Sequence, residues 1–242
     1  LMEGKSMGYW LTSIGLRLYD WLARVRGNDR RRMLGPRETM RAEPLLDPKG
    51  ITGGALYAEY RTDDARLTTE IIKTAVHRGA MAVNYAEVSA LEYKDGKVTG
   101  VKLRDHIDGI ELSVHGTVVV NAAGPWVDTI RELDQSRTGK RLHLSKGIHV
   151  VVDHSRFPVR QAIYFEIPDG RMIFAIPRIG KTYIGTTDTD YKGSLDHVEA
   201  EGDEITYLLN SVSSVFPTVN LQQSDVEATW AGLRPLIHED GK

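Results

Sequence analysis

The sequence predicts a fold that is α/β in its first part and α+β in its second: a piece of a doubly wound domain followed by an antiparallel-sheet domain. Three observations carry this expectation. Thr117 to Asp128 passes from the apolar Val118, Val119 and Val120 through the small residues Ala122, Ala123 and Gly124 to Pro125, which suits the first turn of a helix. Residues 51–140 alternate strand-like and helix-like periods. From Leu142 onward, short apolar stretches are separated by turn formers such as Pro168-Asp169-Gly170 and Ile179-Gly180, the pattern of a meander. The expected organisation is a helical segment over 1–50, a partial doubly wound domain with hairpin strands over 51–140, and a truncated antiparallel domain over 141–242.

Taken in order, a helix is expected from Tyr9 to Val25, because Leu11, Ile14, Leu18, Leu22 and Val25 recur at helical spacing. A short helix follows Pro36, and Gly53 to Tyr60 reads as a strand. Asp63 or Asp64 caps a helix that carries Leu67, Ile71, Ala75 and Val76 on one face and ends at Gly79. Short strands are expected at 82–83, 88–93, 98–103 and 110–114, with turns at Asp95-Gly96 and Asp108-Gly109. Val118 to Val120 is expected to be a strand buried on both faces. In the second part, strands are expected at 149–152, 162–167, 171–176 and 181–185. A helix over 203–216 presents Ile205, Leu208, Leu209, Val212 and Phe216 on one face and stops at Pro217. A strand over 226–231 then leads into Gly232-Leu233-Arg234 at its end.

Four groups of residues can carry chemistry, and each has an ordinary alternative. The bend at Ala122, Ala123 and Gly124 exposes backbone to which a flat ligand can come close; it is equally a plain strand-to-helix turn. Arg234 presents a planar donor fork, worth about 1.5–3 kcal/mol per charge-assisted bond to an anion, or forms a surface ion pair. His149 lies among apolar strand residues, where a neutral imidazole can accept a proton or bond to backbone. Thr186, Thr187 and Asp188 either shape a pocket wall or form a turn.

Six motifs occur in a fixed order: Asp63-Asp64-Ala65-Arg66-Leu67, Asn121-Ala122-Ala123-Gly124-Pro125-Trp126, Lys146-Gly147-Ile148-His149-Val150-Val151-Val152, Phe174-Ala175-Ile176-Pro177, Ile184-Gly185-Thr186-Thr187-Asp188 and Gly232-Leu233-Arg234-Pro235-Leu236. In that order they resemble the FAD-dependent glycerol-3-phosphate dehydrogenases, a branch of the D-amino-acid-oxidase-like flavoproteins, over nearly the whole chain. The resemblance implies an FAD/NAD(P)-type doubly wound domain and oxidation of sn-glycerol 3-phosphate to dihydroxyacetone phosphate, with hydride passing to flavin N5. It implies that His149 takes the hydroxyl proton, that Arg234 binds the substrate phosphate and that Lys146 is a further substrate contact. It implies that main-chain atoms of Glu87 and Val88 pair with the adenine of FAD, where the residues alone read as a plain strand edge. It also implies that Ala122, Ala123 and Gly124 lie against the dinucleotide, with Trp126 packed behind them. A quinone acceptor at the inner face of a membrane and a homodimer belong to the same set of expectations. Alternatives are an oxidase using oxygen, a related flavoenzyme acting on an amine or another hydroxy acid, and a binding module without catalysis.

None of the 23 glycines falls in a G-x-G-x-x-G turn, which in such flavoproteins holds the pyrophosphate at a helix N-terminus. The family also continues past Arg-Pro-Leu to a second arginine and a Gly-Gly-Lys segment, whereas this sequence stops at Lys242. An internal fragment that does not hold FAD tightly by itself is therefore expected.

With 41% hydrophobic residues the chain can build a sizeable core. Having no cysteine, it excludes disulfides, thiolate nucleophiles and cysteine metal sites, and it fits a reducing cytosol. The net charge of -2 divides unevenly: nine Lys or Arg against five Asp or Glu in residues 1–44 give +4, leaving -6 for the rest. Arg24, Arg26, Arg30, Arg31 and Arg32 follow the first helix, which either packs on the body with a solvated basic tail or touches anionic lipid through Trp10, Trp21 and the arginines. No nucleic-acid motif and no paired metal-ligand spacing of the eight histidines occurs, so neither partner is expected. Gly4-Lys5-Ser6-Met7-Gly8 fits G-x-S-x-G without a buried strand before it, and His238-Glu239-Asp240 reads as a solvated tail.

Overall fold

A computed structural model describes residues 8–239, so Gly4 to Met7 of the G-x-S-x-G match and Asp240 of the C-terminal tripeptide lie outside the described residues. Two compact units result. One combines residues 8–59 with 144–234, the other residues 60–143 with 235–239.

The first unit is organised by an antiparallel sheet. Its strands are β6 (Lys140–Asp153), β7 (Ile163–Glu166), β8 (Met172–Arg178), β9 (Lys181–Gly185), β10 (Thr189–Asp190) and β11 (Val226–Glu239), in the order β10-β6-β9-β8-β7 with β11 also paired to β6; the start of β6 up to His143 and the end of β11 from Pro235 count with the second unit. Alternation along β6 sends Ile148, Val150 and Val152 into the core, where they meet Leu208 and Val212 of helix α5 (Gly202–Val215). Phe216 closes this core, edge-on to Phe157 at 4.9 Å and to Phe165 at 5.0 Å. The meander and the α5 stripe agree with the sequence reading. β11 does not stop at Ala231 but runs to Glu239, so Arg234 sits within a strand and His238 belongs to it; pairing with the long β6 sustains the extension past Pro235.

The N-terminal residues join the same unit. Helix α1 (Gly8–Leu22) is followed by β1 (Arg32–Leu34), α2 (Pro36–Ala42) and β2 (Gly54–Leu56). Asp47 N–H bonds to the carbonyl of Val215, and the buried Glu43 carboxylate accepts the N–H groups of Leu45 and Arg160. Both oxygens of the Glu43 carboxylate are thereby satisfied, which is what lets it be buried. The strand expected over 53–60 shrinks to three residues because β1 offers only three partners. The α1 stripe is not packed on the body: Leu11, Ile14, Leu18 and Leu22 are all exposed. Periodicity selects which face is apolar, not what covers it.

The second unit holds helix α3 (Asp64–His77), strands β3 (Ala86–Lys94), β4 (Lys97–Asp105) and β5 (Glu111–His115), and helix α4 (Val127–Leu133). Asp63 caps α3 by accepting the Arg66 N–H, as expected. Asp95 and Gly96 both take positive φ, which is the hairpin turn that joins β3 to β4. Val118 to Val120, in contrast, forms no strand, and Val118 and Val120 are 75% and 80% exposed. An extended apolar run becomes a strand only beside hydrogen-bonding neighbours, and no described strand pairs with this one.

Candidate active site

On β6, residues facing away from the α5 core are Gly147 and His149; on β11, alternation puts Trp230, Gly232 and Arg234 on one face. The sheet brings these two rows together. The Arg234 guanidinium donates to Thr186 Oγ1 at 3.0 Å and to the Thr187 carbonyl at 3.3 Å. Asp188 lies 3.7 Å from it and accepts a hydrogen bond from the Ser145 hydroxyl. A Cβ on Gly147 would overlap both terminal nitrogens of Arg234, so only glycine admits the guanidinium here. Arg234 remains partly open to solvent, with an aimed fork and, among the described residues, no carboxylate in bidentate contact.

The His149 ring stacks on Trp230, with centroids 4.6 Å apart and planes 12° apart, and leans on Phe174 at 5.4 Å. It lies across Gly185, its register partner, where a Cβ would overlap the imidazole. Burial first, then the Arg234 charge, lowers the His149 pKa from 6.5 to about 4. The imidazole is consequently neutral at pH 7, and its Nδ1 is buried without a hydrogen-bond partner. Neutral imidazole beside a fixed cation can hold a hydroxyl group and take its proton while the cation holds an attached anion.

Lys146 is not brought to this face. One residue before Gly147, it points to the opposite side, where its ammonium is 3% exposed and contacts Glu201 Oε1 and Glu204 Oε2 at 2.9 Å each and the Glu199 carbonyl at 3.2 Å. Burial pulls its pKa down, but hydrogen bonds to the two glutamates outweigh this and hold it above the ordinary lysine value. It fastens the N-terminus of α5, where Glu204 also accepts the Glu201 N–H. Thr187 likewise turns inward, its hydroxyl accepting the Ile148 N–H.

In the second unit, the Asn121 side chain shapes the bend by accepting the Ala123 N–H and donating to the Val127 carbonyl. Gly124 has φ +54° and opens a 3-10 turn ending at Trp126, and no atom lies within 4 Å of where its Cβ would be. Ala122 is exposed, Ala123 is half-buried, and Trp126 keeps 40% of its surface in solvent. Glu87 and Val88 pair with Arg104 and Leu103 of β4 on one side of β3, which is an edge strand of its sheet. The Glu87 carboxylate is engaged with His106 at 2.7 Å, leaving main-chain groups as its means of contact at that edge. Taken singly, open backbone at Gly124, the apolar surface of Val118 and Val120, and the edge of β3 that no described strand pairs are each suited to contact with the nucleoside end of a dinucleotide. The phosphate-binding glycine turn is not among the 242 residues.

The family model for FAD dependent oxidoreductases, DAO, matches residues 5–242. The chain belongs to that family. It is 52% identical over 240 residues to the aerobic glycerol-3-phosphate dehydrogenase of Bacillus subtilis (strain 168), covering 99% of this chain and 43% of the relative. It is 48% identical over 242 residues to the Staphylococcus aureus (strain USA300) protein of the same name, with the same coverages. The chain thus spans less than half the length of these curated relatives. Among solved structures, the glycerol-3-phosphate dehydrogenase from Bacillus halodurans complexed with FAD matches 86% of this chain and 42% of its own at 54% identity, with a TM-score of 0.83. The expected family membership and mixed fold are borne out.

Sequence reasoning missed Trp230 and the two glycines. Trp230 lies four residues before Arg234, a spacing that puts both on one strand face, so the strand period was the available signal. Gly147 and Gly185 gave no such signal, because close approach is decided by residues distant in sequence.

Proposed function

We propose that this chain is part of an FAD-dependent enzyme that oxidises sn-glycerol 3-phosphate to dihydroxyacetone phosphate. The observation that carries the proposal is the joint placement of an aimed Arg234 fork and a neutral His149 ring on one sheet face. The naming of the relatives as aerobic glycerol-3-phosphate dehydrogenases supports the substrate. FAD, when bound, supplies a hydride acceptor at N5. Arg234 binds the substrate phosphate, exchanging its weak partner Asp188 for a doubly charged anion. His149 takes the proton of the hydroxyl that becomes the carbonyl, and Trp230 and Phe174 keep water from the ring. Ala122, Ala123, Gly124 and Trp126, and the main chain of Glu87 and Val88, form contacts to the cofactor within the second unit.

Electrons then pass to a quinone, a reading supported by relatives named as dehydrogenases. No helix among the described residues is long and apolar enough to cross a membrane. A peripheral contact is supported by the exposed apolar face of α1 next to Arg24, Arg26, Arg30 and Arg31, which line one hollow with Trp21.

The test is Arg234→Ala in the FAD-loaded enzyme. Loss of one or two charge-assisted bonds should raise KM for glycerol 3-phosphate on the order of 10–100-fold and leave KM for glycerol nearly unchanged. Equal effects on both substrates would reject phosphate binding by Arg234.

A further inference from the structure

We propose that Trp230 is a positioning residue for His149: its indole lies flat against the imidazole, fixes the plane of that ring across Gly185 and shields it from water. The inference deepens the reading of His149 as proton acceptor and rests on it for its catalytic consequence. Three constraints define the ring position. The 12° stack leaves the imidazole no freedom to tilt toward Trp230. Gly185 supplies a side-chain-free floor that tolerates the ring, and Phe174 stands at its side with planes 37° apart. Trp230 itself is held at 5.8 Å from Tyr183, which meets Phe174 edge-on at 6.2 Å, so the three aromatic rings brace one another.

The groups that face the imidazole are Phe174 from β8, Gly185 from β9, and Trp230 and Arg234 from β11, with Tyr183 behind Phe174 and Trp230. Of these only Arg234 is charged, with Asp188 beside it, and the Tyr183 phenol belongs to the ring layer behind them. Removing the indole therefore changes hydration of the imidazole without removing a charge. Trp230 is 45% exposed and lies on the sheet face away from the α5 core, so truncating it leaves the buried packing in place.

The experiment follows the His149 Cε1–H resonance by NMR as pH is varied, in the wild type, Trp230→Ala and Trp230→Phe, alongside kcat and KM of the FAD-loaded enzyme. The wild-type ring should titrate near 4. In Trp230→Ala the midpoint should rise by roughly one unit or more as water reaches the ring, and Trp230→Phe should restore most of the wild-type value. The same alanine variant should lose on the order of tenfold in kcat, with the acid limb of the pH profile displaced and KM for glycerol 3-phosphate little changed. An unmoved His149 midpoint in Trp230→Ala would overturn the inference whatever the activity does. A moved midpoint with unchanged kcat would support Trp230 as the residue that holds the ring and would instead reject His149 as the proton acceptor.

Discussion

Two runs of three valines occur in this chain, and they behave oppositely. Val150 and Val152, in the run after His149, are fully buried, whereas Val118 and Val120 are 75% and 80% exposed. Their β-propensity is the same. What differs is the surroundings: β9 hydrogen-bonds alongside the first run and α5 covers it, while no described strand flanks the second. Residue type thus supplies a preference for extended backbone, and partners supply the burial that makes a strand. The site follows the same division. Arg234 and His149 owe their placement to the well-packed sheet, and the bend at Ala122 to Gly124 owes its openness to having little packed on it.

The largest expected effect is in the packed region. Phe216→Ala should cost about 3–5 kcal/mol and Val152→Ala roughly 2 kcal/mol in urea unfolding, while Val120→Ala should stay within about 0.5 kcal/mol. Similar costs for the two valines would break the comparison. Next come the glycines. Gly147→Ala displaces the Arg234 fork and should weaken phosphate-dependent binding on the order of 10–100-fold, measured as KM for glycerol 3-phosphate. Gly124→Ala meets no neighbour and should lose only about 1–2 kcal/mol through its positive φ.

Lys146→Met should cost about 2–3 kcal/mol of stability, because Glu204 is left nearly buried without its cation, and should change KM less than about twofold. A large KM effect at unchanged stability would place Lys146 in the substrate site. A pH slope adds a test of a different kind. The His149 pKa is about 4 in the folded chain against 6.5 ordinarily, so the unfolded state binds more protons between those values. Its contribution is complete above pH 6.5 and declines as pH falls toward 4. His149→Gln should flatten that part of the stability profile, read by thermal unfolding at several pH values.

Much of this is legible in the sequence. The Asp63 cap, the Asp95-Gly96 hairpin, the meander and the α5 stripe depend on near neighbours in sequence, and all formed as expected. Arg234 and His149 were found through motif order, and the strand period then explains why they share a face. The failures have one physical origin. Burial of Val118 to Val120, packing of the α1 stripe and the end of β11 are each decided by distant segments that offer or withhold a surface. Lys146 illustrates this at a single step: next to Gly147 in sequence, it faces the opposite side, where two glutamates of the α5 N-terminus claim it.

The most direct test of the central claim is the response of the Arg234 side-chain nitrogens to substrate, followed by NMR in the FAD-loaded enzyme with the Nε and Nη signals assigned through Arg234→Lys. The account expects glycerol 3-phosphate to shift and sharpen these signals while glycerol leaves them unmoved. Substrate binding at full strength with the Arg234 signals unchanged would contradict it.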